Sequence, residues 1–146
     1  MMKSTVLHPL LSGYERLVYP AGVIWRGSED VAGRMVAFDI RAQSLTDEQA
    51  TQVLEFFERV KRGEPECRRI IAEDVVRDDG WSTFVSVGTP SLSDLYESMT
   101  LKDVVFDDPP SLTWKFILSY ESLLFESFGV DGWFDHEGKF LHAEIE

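Results

Sequence analysis

The chain has 146 residues, is 44% hydrophobic and 12% aromatic, and carries a formal net charge of −12. A chain of this length buries roughly 70% of the surface its unfolded form exposes, so it can build a core without staples, and its apolar content excludes intrinsic disorder. Its one cysteine, Cys67, excludes an internal disulfide and fits a reducing compartment.

The charge is unevenly placed. Residues 1–63 hold eight acidic and eight basic side chains, whereas residues 64–146 hold eighteen acidic and six basic ones. Such an acidic sector repels nucleic acid and anionic membrane and attracts basic partners from a distance. Near the N-terminus the apolar run is broken by His8 and Pro9, unlike a signal peptide, and no stretch approaches the ~20 apolar residues of a membrane helix. The expected setting is the cytoplasm.

The first forty residues read as strands over 14–19, 22–26 and 34–41, with the polar segment Gly27–Gly33 as the loop of a hairpin. Alternation in the third strand puts Val36, Phe38 and Ile40 toward the core. Asp39 then falls on the opposite face and needs water or a partner such as Arg26 or Arg41. Thr46 and Gln49 form a capping box, and Asp47 and Glu48 favour a first helical turn. Ala50, Val53, Leu54, Phe57 and Val60 form an apolar stripe, and Gly63 is placed to end the helix, which is expected over 47–62.

Beyond Pro65, the pairs Ile70-Ile71 and Val75-Val76, the turn Asp78-Asp79-Gly80 and the run Trp81–Val87 predict a hairpin with arms near 68–76 and 81–87. A helix over 66–76 is the rival reading. A short helix over about 92–99 follows, capped by Ser91 with Asp94 three residues on, then a strand over Leu101–Phe106. Residues 112–128 place Ile117, Tyr120, Leu124 and Phe128 on one helical face, with Ser111 as a cap, which favours helix against the strand propensity of Thr113–Ile117. A hairpin closes the chain, with strands over 132–135 and 139–145 and a three-residue loop ending at Gly138. In its second arm Leu141, Ala143 and Ile145 form the expected core face. These elements imply an α+β single domain, a mostly antiparallel sheet with two to three helices packed on one face.

Motifs that carry chemistry are weak. Asp131, Asp135, His136 and Glu137 crowd one turn, but their spacing matches no EF-hand and lacks the four ligands zinc usually takes. No Gly-x-Ser-x-Gly elbow, P-loop or Gly-x-Gly-x-x-Gly turn occurs. Cys67 lies between Glu66 and Arg68 with no Cys-His signature and reads as an incidental thiol. The only basic cluster, Arg59, Lys61, Arg62, Arg68 and Arg69, begins in a predicted helix's last turn, where cations favour the dipole. No metal, cofactor, catalytic residue or nucleic-acid partner is expected.

What remains is the mixture of carboxylates and tryptophans at the turns of the acidic half: Asp78, Asp79 and Trp81, then Asp107 and Asp108, then Asp131, Trp133 and Asp135. Aromatic anchors with charge around them are the usual makings of a protein interface. In size, acidity and lack of catalytic motifs the chain resembles the cytoplasmic immunity proteins that bacteria pair with polymorphic or contact-dependent toxins. That resemblance is one of general character and carries over no residue. It implies a binding and inhibitor module whose partner is a basic protein, a cognate toxin of nuclease type. The alternatives are a small metal-dependent or hydrolytic enzyme built on the Asp-rich turns, and a ligand-binding α+β domain with an apolar pocket.

Overall fold

A computed structural model describes residues 6–85, 88, 90–110 and 112–146. Seven strands form one sheet in which spatial order follows chain order: β1 (Glu15–Tyr19), β2 (Gly22–Val31), β3 (Arg34–Arg41), β4 (Met99–Asp107), β5 (Lys115–Ser122), β6 (Gly129–Phe134) and β7 (Phe140–Ile145). Every neighbouring pair is antiparallel except β3 with β4, which run parallel. The α+β architecture read from the sequence is therefore present. Between the parallel strands lie α1 (Asp47–Arg77) and α2 (Leu92–Ser98). No helix among the described residues is long and apolar enough to cross a membrane.

The hairpin loop expected over Gly27–Gly33 is shorter than that. β2 runs on to Val31, and only Ala32 and Gly33 turn, both at positive φ, with Asp30 accepting the Gly33 N–H at 2.9 Å. Contacts to Gly27 and Glu29 help hold this stretch extended. The Tyr14 ring lies against Gly27, where an added Cβ would come within 3.0 Å, and Glu29 pairs with Lys61 of α1 at 2.7 Å.

Helix α1 opens as expected, with Thr46 and Gln49 bonding reciprocally at 3.1 and 2.9 Å. Ala50, Val53, Phe57 and Val60 are buried, joined by Phe56, which stacks on Phe116 of β5 with centroids 4.1 Å apart. At Gly63 the backbone leaves helical geometry (φ −132°, ψ 35°), yet the chain turns back into helix at once. Pro65 falls in the first turn of this second segment, where its missing N–H has no partner to lose.

The hairpin expected over 68–87 does not form. Cys67, Ile71 and Val75 recur every four residues and are all buried, so the β-branched pairs belong to a helical stripe. Residues 79–84 form a 3-10 turn that Asp78 caps by accepting the Gly80 N–H, and Ser86 and Val87 lie outside the described residues. Helix α2 has the expected cap, with Ser91 and Asp94 bonding reciprocally at 3.1 and 2.8 Å.

The helix expected over 112–128 is also replaced, by β5. Phe116, Leu118 and Tyr120 point to the helices while Ile117 points the other way, and all four are buried. A central strand apolar on both faces shows no alternation, and this run mimicked a helical stripe. Ser111, the expected cap, lies outside the described residues.

The last hairpin is present, but Leu141 is 53% exposed and not in the core. The β6–β7 register shifts between Trp133, opposite His142, and Phe134, opposite Phe140. Leu141 is the extra residue of a bulge, and the core-side residues become Phe140, Ala143 and Ile145.

Packing between α1 and the sheet depends on two positions. Phe57 is 2% exposed and meets Phe38 edge-on at 4.9 Å. Its truncation to alanine is expected to cost about 3–5 kcal/mol by chemical denaturation. At Gly132 an added Cβ would lie 2.3 Å from Ile71 Cδ1 and 2.4 Å from Ile71 Cγ1, and Ile71 is fully buried. Gly132→Ala is therefore expected to destabilise by about 1–3 kcal/mol. In the Ile71→Ala background the same change is expected to be better tolerated, which a double-mutant cycle measures.

Candidate protein-binding surface

All helical elements gather on one face of the sheet, the face of Phe38, Phe116 and Tyr120. The register assigns the opposite face its rows. One row runs across all seven strands: Glu15, Arg26, Asp39, Val105, Ile117, Trp133, His142. The next runs from β2 to β7 as Ser28, Ala37, Asp103, Ser119, Asp131, Glu144. A bulge at Lys102 rephases β4 so that Asp103 joins this face while Val104 and Phe106 enter the core.

Because strands follow one another in space as in sequence, the linear charge asymmetry becomes lateral. The half of this face built from β1–β3 carries Leu17, Ile24, Arg26, Met35 and Arg41 with the acids Glu15 and Asp39. The half built from β4–β7 carries Asp103, Asp107, Glu121, Asp131 and Glu144 against Lys102, which pairs with Glu121 at 2.8 Å, Lys115 and His142.

At the seam, Asp39 is 3% exposed and takes a bidentate grip from Arg26, Nε to Oδ1 at 2.7 Å and Nη2 to Oδ2 at 2.8 Å. This is one of the two partners expected from the strand pattern. Asp103, on the neighbouring strand, has no cation within ion-pair distance among the described residues. Burial pushes its carboxyl above the ordinary aspartate value, and the charge of Asp39 adds to this. Arg26, Lys102 and Arg41 offset this only in part, because Arg26 is engaged by Asp39 and Lys102 by Glu121. Farther along, Trp133 stacks on His142 with centroids 5.7 Å apart, and Lys115 Nζ sits 4.7 Å from its ring centroid.

The eight residues read from the sequence do not form one surface. Asp107, Asp131 and Trp133 lie on the helix-free face. Asp78, Asp79 and Trp81 lie on the helix side, at the end of α1, and Trp81 is only 9% exposed. Asp108 accepts from Gln49 Nε2 at 3.1 Å and so ties the start of α1 to the end of β4. Asp135 holds the β6–β7 turn by accepting the N–H groups of Glu137 and Lys139 at 2.8 and 2.9 Å. Asp103 and Ser119 escaped the sequence reading because their place depends on the Lys102 bulge and on β5 being a strand.

A second polar cluster was also missed. Glu64 is buried, accepts from Tyr120 Oη at 2.9 Å, and is gripped by Arg68 through Nε and Nη2, each at 3.2 Å. Burial and the Glu64 charge raise the Tyr120 phenol well above its ordinary value, so it stays a donor. The Glu64–Arg68 spacing of four residues is the signal that a helical reading of 64–77 would have supplied. Cys67, buried beside this cluster, has its thiol pushed up chiefly by burial, which disfavours the thiolate. Among the described residues no three His, Cys, Asp or Glu side chains converge to hold a metal ion.

Glu146 stands next to Asp131 and Glu144, and these neighbours push its carboxyl up to about 7. A carboxyl raised on folding stabilises the folded state below its unfolded value, here 4.5, and that contribution is lost as pH rises through about 7. Stability is therefore expected to fall between pH 4.5 and 7 through this group. Carboxyl NMR is expected to give Glu146 a midpoint near 7 that drops in Asp131→Asn, and Glu146→Gln is expected to flatten the decline.

No protein-family model, curated protein or solved structure matches the chain.

Proposed function

We propose that this protein is an acidic binding and inhibitor module that docks a basic protein through the helix-free face of its sheet. One observation carries the reading: chain order equals sheet order, so the acids of β4 to β7 gather on the half of the sheet that holds Trp133, on the face that no helix covers. A half-buried aromatic ring, packed between Lys115 and His142 with Asp131 and Glu144 in the next row, combines an anchor with a steering field. The partner class follows from charge. A chain at −12 repels nucleic acid and anionic lipid and draws in cationic proteins. In the immunity-protein reading, the partner is a basic toxin of nuclease type, and Asp103, Asp107, Asp131 and Glu144 occupy the surface that would hold its phosphates.

The product of the adjacent gene, purified and tested by binding kinetics at low and high salt, checks this reading. Association is expected to slow as ionic strength rises through the screening range, and Asp103→Asn and Asp131→Asn are expected to slow it further. Trp133→Ala is expected to act mainly on dissociation, by about 2 kcal/mol or more for an anchor residue. Salt-insensitive association, with all three variants binding like wild type, would remove the sheet face as the docking surface.

A further inference from the structure

We propose that a groove on the helix side of β7 receives a large apolar side chain carried on a basic segment of the protein partner. The inference rests on the binding-module reading above and adds a second point of contact across the β7 edge from the acidic face. The groove is an open depression of about 540 Å³ between the last turn of α1, the 3-10 turn over Asp79–Phe84 and β7. That lies within the range of about 300–1,000 Å³ that binding pockets span.

Its origin is steric. Gly132 lets Ile71 approach β6 closely, whereas one turn farther along α1 the facing residue on β7 is Ala143, whose single methyl leaves the space open. Val75, Trp81, Phe84 and Ile145 supply the remaining apolar wall. Phe84 is 40% exposed and meets Phe128, 44% exposed, edge-on at 5.3 Å, so the apolar surface continues past the rim. Exposed aromatics paired beside a concavity are an unusual expense of apolar surface for a protein this acidic.

The rim selects the occupant. Asp74 and Asp78 border the groove against the single guanidinium of Arg77, and Asp79 stands beside Asp78. Carboxylates around an apolar floor match an apolar side chain with lysines or arginines on either side. A second copy of this chain would bring carboxylates to carboxylates at −12 each. The mode of entry is also constrained. Asp74 Oδ2 accepts the Ala143 N–H at 2.8 Å and so occupies an edge amide that an eighth strand would need. Strand addition is thereby blocked at Ala143, and the apolar floor favours docking by side chains.

The test is an NMR titration of the isotopically labelled protein with a synthetic peptide, Lys-Arg-Trp-Arg-Lys. Two controls replace the tryptophan by glycine or the basic residues by glutamate. Saturable shifts are expected at the amides of Val75, Phe84, Ala143 and Ile145, with at least tenfold weaker binding of both controls. Ala143→Leu, which fills the groove, and Phe84→Ser, at an already exposed ring, are each expected to weaken binding tenfold, and Asp78→Lys several-fold. Shifts confined to Asp103, Ser119 and Asp131, lost in Asp131→Asn and kept in Ala143→Leu, would overturn the groove while leaving the sheet face standing. Equal binding of the glycine control, the absence of saturable shifts, or concentration-dependent shifts at the groove without peptide would each overturn the inference. Failure of the sheet-face reading shows separately, in the salt-dependent kinetics of Asp103→Asn and Asp131→Asn with the adjacent gene product.

Discussion

The parallel pairing of β3 with β4 at the centre of the sheet is the constraint from which the rest follows. Antiparallel neighbours can be joined by a tight turn, but parallel neighbours need a crossover that travels back along the sheet. Residues 42–98 make that crossover, and both α-helices lie in it. A crossover lies on one face, so every large helix packs there, and the hairpins before and after it add no cover to the other. The core is accordingly one-sided. Phe38, Phe106, Phe116 and Phe134 face α1 and are fully buried or nearly so, whereas the opposite face keeps Asp39, Asp103, Asp131 and Trp133.

A bare sheet face in water has to be made tolerable, and here three devices do so. Arg26 neutralises Asp39 where the strands are closest to the sheet centre. Side chains around Val105 and Ile117 keep both buried although no helix covers them. Acids on β4 to β7 keep that half of the face hydrated and self-repelling, which disfavours edge and face association between copies. The same devices bear on the proposed docking: a neutral or acidic partner would find no compensation for desolvating Asp103 and Asp131, and a basic one would.

The β7 edge joins the two surfaces. Its side chains alternate, with His142 and Glu144 toward the acidic face and Ala143 and Ile145 toward the groove, and Asp74 caps the amide between them. A partner with an apolar anchor flanked by cations can therefore meet carboxylates on both sides of one short strand. Helix α1 is held to the sheet by Ile71 over Gly132 and by the buried Glu64, Arg68 and Tyr120 cluster.

Local physical chemistry was legible wherever one residue type has one good solution. The Thr46 and Ser91 capping boxes, the inward set Val36, Phe38 and Ile40, the need of Asp39 for a cation and the final turn at Gly138 could all be read from neighbours within a few positions. The charge asymmetry was equally plain. Position in space was not. Ile70-Ile71 and Val75-Val76 favour a strand in isolation, and packing of Cys67, Ile71 and Val75 against the sheet, with ion pairs at helical spacing from Glu64 to Arg77, makes 64–77 a helix. Phe116, Ile117 and Leu118 carry no period because β5 is buried on both faces, which is a property of its neighbours. Likewise Trp81 and Trp133 look alike in sequence, each beside aspartates at a turn. The sequence by itself determined that carboxylates and tryptophans would be neighbours, because adjacency along the chain suffices for that. Only the tertiary structure decided which of them share a face, because that depends on strand order, on the bulges at Lys102 and Leu141, and on the side the crossover helices cover.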